Sequence, residues 1–261
     1  MLSTFTKKCL LKGGFFAEIP PHVGKYKCID GIDTYLIFNT TDPTFNAAFF
    51  TSNSILFSAH SFKCFEDFYD EHKVPFSIIT SNRDTPEKIF PILRSKGFSP
   101  MIELSCMILQ EPLQVAPYVT DLNIQLCKDI ELQVELYAKA YPMSKRDARP
   151  MVNTLMDLGY ESYIAYVENI PSAIGTLCIF SQGEEKIGYL GGAATLESAR
   201  GNGAYKSLLN KRIDRAFECG CHSIVVQANK KSSMKTCLNF GFKEIDTIIM
   251  HVKQLNFHGE F

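Results

Sequence analysis

The sequence predicts an α/β fold, and three consecutive segments in the second half of the chain support this prediction. The apolar run from Ile187 to Leu196 is typical of a buried strand. A turn containing Gly201 and Gly203 follows it, and the apolar residues after the turn recur at helical spacing: Leu208, Leu209, Ile213, Ala216 and Phe217. A strand, a glycine turn and a helix in this order favour phosphate binding, because the N-terminus of the helix presents free backbone N–H groups.

Strands and helices alternate through the rest of this half. The predicted elements are a strand at 122–127, helices at 129–141 and 149–158, strands at 162–167, 173–180 and 187–196, the helix after Gly203, a strand at 223–228, a helix at 234–240 and a strand at 242–252. The polar segment 229–233 is suited to cap the short helix that follows it. The predicted order is therefore β-α-α-β-β-β-α-β-α-β.

The first half of the chain carries weaker signals. We expect strands at 34–38, 74–80 and 101–109 and a helix at 61–72, whereas 45–51 and 54–57 fit a strand or a helix equally well. Thr85 and Pro86 are typical of an N-cap and of the first residue of a helix. The proline-bearing segment 111–117 marks a boundary, so we predict two domains, at 1–118 and 119–261.

The glycine turn is compatible with three classes of ligand, and its residues distinguish them. A P-loop nucleotide site requires glycine directly before its Lys-Ser pair and again five residues earlier, but Tyr205 and Arg200 stand there. A dinucleotide fingerprint fits at Gly201 and Gly203, but Lys206 occupies the place of its third glycine. Both patterns are therefore incomplete in this chain.

The third pattern fits best. The stretch Arg200-Gly201-Asn202-Gly203-Ala204 resembles the pyrophosphate-binding loop of the GNAT superfamily of N-acetyltransferases, Arg/Gln-x-x-Gly-x-Gly/Ala. Arg200 and Gly203 match that motif, whereas Tyr205 departs from it at the last place. The segment 192–199 is similar to the strand and turn before this loop in many bacterial members, and 233–242 is similar to the family's helix and Gly-Phe turn. The plainer interpretation is an ordinary glycine turn in an α/β protein.

The resemblance implies a mixed, mostly antiparallel central sheet flanked by helices. The first half is similar to the degenerate GNAT-like half of two-domain bacterial members, through the segments 43–46 and 74–77 and through Met107. Helix, Gly-Phe and strand also recur, at 96–98 and 240–242. Because the first half lacks the Arg-x-x-Gly-x-Gly loop, we do not expect it to bind coenzyme A.

The resemblance also implies a binding site for acetyl-CoA, the co-substrate of the family. The strand before the loop would contact the pantetheine arm, and the loop would hold the pyrophosphate. The end of the next strand would also contact the arm. The implied contact residues are Ala193, Ala194, Thr195, Arg200, Gly201, Asn202, Gly203, Ala204, Tyr205, Asn229 and Ser233.

Catalysis in the family is direct attack of an amine on the thioester, which requires an acid for the leaving thiol and a base for the amine. The usual acid is a tyrosine four residues before the glycine of the Gly-Phe turn, and here that position is Cys237. Tyr205, Ser233 or solvent are the alternative acids, and a simple packing role for Cys237 stays open. Glu197 and Tyr189 are the candidate bases, with Glu185 and Glu161 as others and water as the alternative.

The composition of the chain argues against several other classes of protein. The net charge of −1 argues against a general nucleic-acid binder. No window has the ~20 apolar residues of a membrane span, and the odd number of cysteines, 9, favours reduced thiols and a cytoplasmic location. Cys219, Cys221 and His222 lack a second ligand pair at zinc spacing, so we expect no metal.

The sequence therefore predicts an N-acetyltransferase that moves an acetyl group from acetyl-CoA to a primary amine of a small molecule or a peptide. We expect a monomer or a homodimer. A catalytically weak acyl-CoA-binding module is the alternative, and Cys237 and Tyr205 are the residues that favour it. Residues 137–160 are the region where the family builds its acceptor pocket.

Overall fold

A computed structural model of the chain describes residues 2–13, 19–38, 40, 42–50, 59–111, 121–141 and 143–253. Within these residues the elements are, in chain order, α1 (Thr4–Lys12), β1 (Gly24–Ile29), β2 (Ile32–Ile37), β3 (Ala47–Phe50), α2 (Ala59–Asp70), β4 (Ser77–Ser81), α3 (Ile89–Ser95), β5 (Phe98–Leu109), β6 (Asn123–Cys127), α4 (Ile130–Ala140), α5 (Lys145–Asp157), β7 (Glu161–Val167), β8 (Ile170–Gln182), β9 (Glu185–Thr195), α6 (Ala204–Glu218), β10 (Ser223–Asn229), α7 (Met234–Asn239) and β11 (Lys243–Lys253).

The chain forms two compact units. The first comprises Met1–Val23 and Ser105–Ile245, and the second comprises Gly24–Leu104 and Asp246–Phe261. Each unit thus contains a segment from the opposite end of the chain. The predicted boundary at 118/119 lies outside the described residues, and the division into domains at 1–118 and 119–261 stays a prediction.

The first unit contains the predicted order of elements, from β6 through to the start of β11. Its strands lie side by side in the order β10-β9-β8-β7-β6. Every neighbouring pair is antiparallel except β10 and β9, which are parallel. The mixed, mostly antiparallel sheet is therefore confirmed.

Helices α4 and α6 cover this sheet, close to the positions that the sequence predicts for them. Asp129 is the N-cap of α4, and its carboxylate accepts the Leu132 N–H at 3.1 Å. Helix α6 buries its apolar face, including Leu208, Leu209 and Ile213, against β7, β8 and β9. Helix α4 packs against β8 and β9, so both helices lie on the strands that precede the glycine turn.

The sequence analysis missed α1, which belongs to the first unit. Its N-cap residue Ser3 donates a hydrogen bond to the Glu185 carboxylate at 2.7 Å, and Thr6 donates a second one. At the other end, the Gln227 amide donates to the carbonyls of Leu10 and Leu11 at 3.1 and 3.0 Å. Both anchors join residues about 180 or more positions apart, which no local pattern reveals.

The second unit repeats the mixed character of the first. Its strands follow the order β1-β2-β3-β4-β11, and β3 and β4 are its parallel pair. Helices α2 and α3 bury an aromatic core against it, in which Tyr69 stacks on Phe76 with ring centroids 4.3 Å apart. The segment around 45–51 is resolved as a strand, β3, while 54–57 lies outside the described residues.

One predicted helix cap is wrong, and a second is made without its side chain. Helix α3 begins at Ile89 rather than at Pro86, because the Thr85 hydroxyl accepts the Ser81 N–H at 2.7 Å and donates to the Phe50 carbonyl. The predicted segment 229–233 supplies the N-cap residue of α7, Ser233, but its side chain does not cap the helix, because its hydroxyl accepts the Asn229 N–H at 3.0 Å. In both cases the hydroxyl closes a turn before the helix instead.

One buried histidine predicts a pH dependence of stability. His251 is 5% exposed in the second unit, and burial lowers the pKa of its imidazole to about 4. The contribution of His251 to the free energy of unfolding is complete above about pH 6.5, the pKa of histidine in the unfolded chain. It is lost as the pH falls toward 4, because the unfolded chain binds the proton at a higher pH than the folded protein does. We expect the free energy of unfolding to fall by up to about 2 kcal/mol between pH 7 and pH 5.

Urea unfolding at these two pH values measures the effect. The variant His251→Gln cannot take up the proton and should show a smaller difference between the two pH values than the parent protein. An equal difference in both proteins would assign the pH dependence to other groups.

Candidate functional site

A β-bulge interrupts β9 directly before the glycine turn. Gly191 stands opposite Thr176 and Ala194 stands opposite Ile174, so Gly192 and Ala193 together face only Gly175 of β8. Gly192 has φ +51°, and a Cβ atom built on it would lie 2.6 Å from the Tyr137 hydroxyl oxygen. Glycine is therefore required at the bulge for both backbone conformation and space.

The parallel pair β9 and β10 opens beyond the middle of the two strands. Their pairing register covers Ile187–Leu190 against Ser223–Val226, whereas β9 continues to Thr195 and β10 to Asn229. Beyond Leu190 the register gives β9 no partner on β10 within the described residues. This opening lies at the carboxyl ends of the two parallel strands, where open α/β sheets bind their ligands.

The glycine turn ends β9 and leads into α6. A single turn of 3-10 helix, Glu197–Ala199, precedes Arg200, whose side chain is 62% exposed. Gly201 and Gly203 have φ +87° and +81°, and Gly203 is the N-cap of α6. Both glycines adopt the left-handed conformation that other residues disfavour, so the pattern Gly-x-Gly has a conformational cause.

The start of α6 supplies backbone donors to the opening. Ala204 and Tyr205 form its first turn, where the N–H groups have no carbonyl four residues earlier within the helix. Helix α6 has 15 residues, long enough to give its N-terminus a partial positive charge. Asn202 lies inside the turn, with its N–H 3.5 Å from the Ala199 carbonyl oxygen.

The end of β10 and the start of α7 form a second tight turn. Asn229 accepts the Lys231 N–H on its side-chain oxygen at 2.9 Å and the Ser233 N–H on its carbonyl at 3.0 Å. Since β9 and β10 are parallel, this turn and the glycine turn both follow the same edge of the sheet. Asn229 and Ser233 thus come from the strand end next to that of Ala193, Ala194 and Thr195.

The side chain of the candidate acid Cys237 lies beside that of Tyr205. The Tyr205 hydroxyl lies 3.6 Å from the Cys237 sulfur, and Cys237 is fully buried. Burial raises the pKa of the thiol and, more strongly, that of the phenol, so both groups are protonated at neutral pH. The candidate acid Cys237 and one of its alternatives, Tyr205, are therefore neighbours.

The candidate bases occupy four different surroundings. Glu197 lies on the 3-10 turn with its side chain 90% exposed, and Tyr189 lies on β9, where burial raises the pKa of its hydroxyl. Glu185 accepts hydrogen bonds from α1. Glu161 pairs with Arg215 at 3.0 Å, which lowers the pKa of its carboxyl group. The roles of Glu197 and Tyr189 stay predictions.

The sequence analysis assigned residues 137–160 to the acceptor pocket, but it did not predict that three side chains would bond to the bulge. Tyr137 and Tyr141 of α4 donate hydrogen bonds to the carbonyls of Gly192 and Ala193, at 2.6 and 2.9 Å. Arg212 of α6 is 1% exposed and donates to the Gly191 carbonyl at 3.3 Å. The available signals were an i, i+4 tyrosine pair on α4 and a cation within the apolar face of α6.

The described residues contain neither a cluster of metal-binding side chains nor a helix that could span a membrane. Within them, no group of three or more His, Cys, Asp or Glu side chains has the arrangement of a metal site. Cys219 and Cys221 are both free thiols. In the same residues, no helix combines the length and the apolar character needed to span a membrane.

Comparison with known proteins identifies the domain that carries this site. Residues 130–242 match the model of the Acetyltransferase (GNAT) family. The match includes the bulge, the glycine turn and Cys237. No curated protein matches the sequence. Residues 130–242 are therefore similar to the GNAT acetyltransferase domain, which is the resemblance that the sequence analysis predicted.

Solved structures show that the likeness of fold extends beyond residues 130–242. A GCN5-related N-acetyltransferase from Kribbella flavida has a TM-score of 0.72 at 11% identity, over 99% of this chain and 98% of that one. A functionally unknown conserved protein from Staphylococcus epidermidis has a TM-score of 0.63 at 16% identity, over 85% and 90%. A tandem GNAT protein from the clavulanic acid biosynthesis pathway has a TM-score of 0.55 at 10% identity, over 84% and 77%. At these identities the likeness concerns the fold, and the predicted GNAT-like fold is confirmed.

Proposed function

We propose that this protein is an N-acetyltransferase that moves the acetyl group of acetyl-CoA to a primary amine of a small molecule or a peptide. The observation that carries the proposal is the opening between β9 and β10 at the start of α6, next to a strand bulge. The match of residues 130–242 to the model of the GNAT acetyltransferase family supports acyl transfer in general. The choice of acetyl-CoA and of an amine acceptor is our proposal.

The residues at the opening fit an acyl-CoA ester. Gly201 and Gly203 bring no Cβ atoms to the turn, and a Cβ built on Gly201 would meet no atom within 4 Å, so the approach to this backbone is open. The first turn of α6 offers N–H donors to a pyrophosphate. The unpaired edge of β9 beyond Leu190 offers backbone groups to the amides of a pantetheine arm.

The proposed reaction is direct attack without an acyl-enzyme. The amine nitrogen forms a bond to the thioester carbonyl carbon, the carbon–sulfur bond breaks, and the proton of the amine passes to a base or to water. The departing sulfur takes a proton from an acid. Holding both reactants in attack geometry is the largest contribution that such a cleft can make to the rate.

Cys237 is the proposed acid, and its replacement tests that role. Because burial raises the pKa of its thiol, Cys237 is protonated at neutral pH, which is the form that an acid requires. We expect Cys237→Ala to lower kcat by about 100-fold with the Kd of acetyl-CoA unchanged. Steady-state kinetics and calorimetry measure the two quantities.

Cys221→Ala is the matched control, since Cys221 is another buried thiol of the same core. This variant should retain its kcat. An unchanged kcat in Cys237→Ala would contradict the acid role, and Tyr205→Phe would then test the neighbouring hydroxyl.

A catalytically weak acyl-CoA-binding module is the second candidate. It is favoured by the thiol at position 237, which is a weaker hydrogen-bond donor than a phenol. The exposure of Glu197 and the pairing of Glu161 favour it as well. In this case acetyl-CoA would bind to the protein without any transfer to amines.

Calorimetric titration of the reduced protein with acetyl-CoA separates these candidates from others, with ATP and NAD as control ligands. Binding of acetyl-CoA alone supports both candidates, and mass spectrometry of a panel of amines then distinguishes them by the acetylated products. Binding of ATP or NAD in place of acetyl-CoA would overturn both.

A further inference from the structure

The helix α1 ends beside the opening between β9 and β10. A Cβ atom built on Gly13, the residue after α1, would lie 3.1 Å from the Tyr189 hydroxyl oxygen and 3.2 Å from the Gln227 Oε1 atom. Gln227 is the first residue of β10 beyond its pairing with β9. A Cβ atom on Gly191, the first residue of β9 beyond that pairing, would lie 2.9 Å from the Tyr189 ring. The two polar atoms therefore lie together at the opening.

The end of α1 determines which atom of the Gln227 amide faces Tyr189. The Nε2 atom donates to the carbonyls of Leu10 and Leu11 at 3.1 and 3.0 Å. These carbonyls belong to the last turn of α1, where they have no partner within the helix. Because Nε2 is used in this way, the atom left for a ligand is Oε1, which only accepts hydrogen bonds.

The two polar atoms are available for a ligand. Neither the Tyr189 hydroxyl nor Gln227 Oε1 has a hydrogen-bond partner in the part of the chain that the structure describes, and both residues are partly exposed. The Tyr160 ring packs edge-on against the Tyr189 ring, with centroids 6.4 Å apart, and its buried hydroxyl also has no partner among these residues. Polar atoms without partners are unfavourable unless water or a ligand satisfies them.

The elements around Tyr189 and Gln227 bring no negative charge to them. Strands β8 and β10 contain no charged residue, and α1 contains three lysines and no acidic residue. The Glu185 carboxylate at the start of β9 accepts hydrogen bonds from α1, and the two glutamates of α4 pair with Arg149 and Lys139. Burial raises the pKa of the Tyr189 phenol, which is therefore uncharged at neutral pH.

We propose that Gln227 and Tyr189 form a neutral acceptor subsite, which binds the attacking amine without a charge and therefore selects weakly basic α-amino groups over alkyl amines such as the lysine side chain. The proposal rests on the proposed function. Gln227 Oε1 and the Tyr189 oxygen accept the two N–H groups of a neutral primary amine, which leaves its lone pair for the thioester carbon. An ammonium ion has no lone pair, and its charge is unfavourable at a site without a carboxylate.

A neutral amine also balances the protons of the reaction. The nitrogen loses one proton when it forms the amide, and the departing sulfur gains one. An ammonium ion brings one proton more, which must leave before the attack. The pKa is about 7.7–8.0 for an α-amino group and about 10.4 for lysine, so at pH 7.5 the neutral fraction differs by about 200-fold.

Two isomers provide the test, because they differ only in which amine is free. Nε-acetyl-lysinamide has a free α-amino group, and Nα-acetyl-lysinamide has a free ε-amino group. Mass spectrometry of the products at saturating acetyl-CoA gives kcat/KM for each. We expect the α-amine to be preferred by at least about 10-fold at pH 7.5, and the preference to shrink toward pH 9.5 as the ε-amine loses its proton. Equal or better use of the ε-amine at pH 7.5 would overturn the inference.

Two variants assign the selectivity to these residues. Tyr189→Phe removes a hydroxyl without a partner in the described residues, so it should fold and bind acetyl-CoA as the parent does, while kcat/KM for the α-amine falls by about 10-fold. Gln227→Glu places a carboxylate at the opening and should shift the ratio of the two kcat/KM values toward the ε-amine by about 10-fold. Gln125→Glu, the same change at an exposed residue of β6, is the control and should keep the parent ratio.

Each outcome separates this inference from the proposed function. Parent values of kcat/KM for both isomers in Tyr189→Phe would overturn the inference alone, as would a parent ratio in Gln227→Glu. Binding of acetyl-CoA by the parent protein without transfer to either isomer would also overturn it. A parent protein that does not bind acetyl-CoA in calorimetry would overturn the proposed function and this inference with it.

Discussion

Replacing Gly203 by valine should abolish the binding of acetyl-CoA. Gly203 has φ +81°, a conformation that a β-branched residue does not adopt without strain, and it is the N-cap of α6. Valine would therefore move the turn and turn the first N–H groups of α6 away from the pyrophosphate. We expect the Kd measured by calorimetry to rise by about 100-fold or more, equivalent to ~3 kcal/mol.

Gly220→Val is the control for backbone strain. Gly220 ends the same helix at φ +78°, and a Cβ placed on it would meet no atom within 4 Å. Both variants carry the cost of a left-handed valine, about 1–2 kcal/mol. Only the Gly203 variant should lose the ligand. Parent-like affinity in Gly203→Val would mean that the turn is not the coenzyme site.

Replacing Gly192 by alanine should lower both stability and turnover. The new methyl group would lie 2.6 Å from the Tyr137 hydroxyl oxygen and 3.2 Å from the Thr176 hydroxyl oxygen, at φ +51°. Overpacking and backbone strain together should reduce the free energy of unfolding by about 2–4 kcal/mol. Because the bulge must shift to accommodate the methyl group, kcat should fall with it, and urea unfolding and steady-state kinetics measure the two effects.

Two further variants separate strain from collision at this position. Gly183 has φ +60° and open space around its Cβ position, so Gly183→Ala should cost only about 1 kcal/mol. Tyr137→Phe removes the oxygen with which the methyl group collides, so the double variant should lose less than the sum of the single losses. Equal losses of unfolding free energy in Gly192→Ala and Gly183→Ala would contradict a collision between the new methyl group and the Tyr137 hydroxyl.

The linear order of elements in the second half of the chain was predictable. Apolar periodicity identified α4 and α6, a β-branched run identified β10, and the glycines marked where helices begin and end. The turn at 200–205 was predictable as well, since left-handed glycines before an amphipathic helix form a local pattern. These features depend on residues within a few positions of each other, which is the range that a sequence pattern covers.

The α1 helix shows the limit of prediction from local sequence patterns. Residues 4–12 have only a weak apolar face, and the helix is held by Glu185 and Gln227, far along the chain. The predicted cap at Thr85 fails because its hydroxyl donates to the carbonyl of Phe50, 35 positions away, while it accepts the Ser81 N–H. Short helices depend on tertiary partners rather than on their own propensity.

The sequence by itself determined the class of fold, the order of its elements and the place of the glycine turn, because glycine and apolar spacing act locally. Only the tertiary structure decided which residues surround that turn in the candidate site. The bulge and the opening between β9 and β10 depend on how three strands pair, and the hydrogen bonds from Tyr137, Tyr141 and Arg212 to the bulge connect residues far apart in sequence. Contacts at such separations depend on how sheet and helices pack, and no periodicity in the chain encodes them.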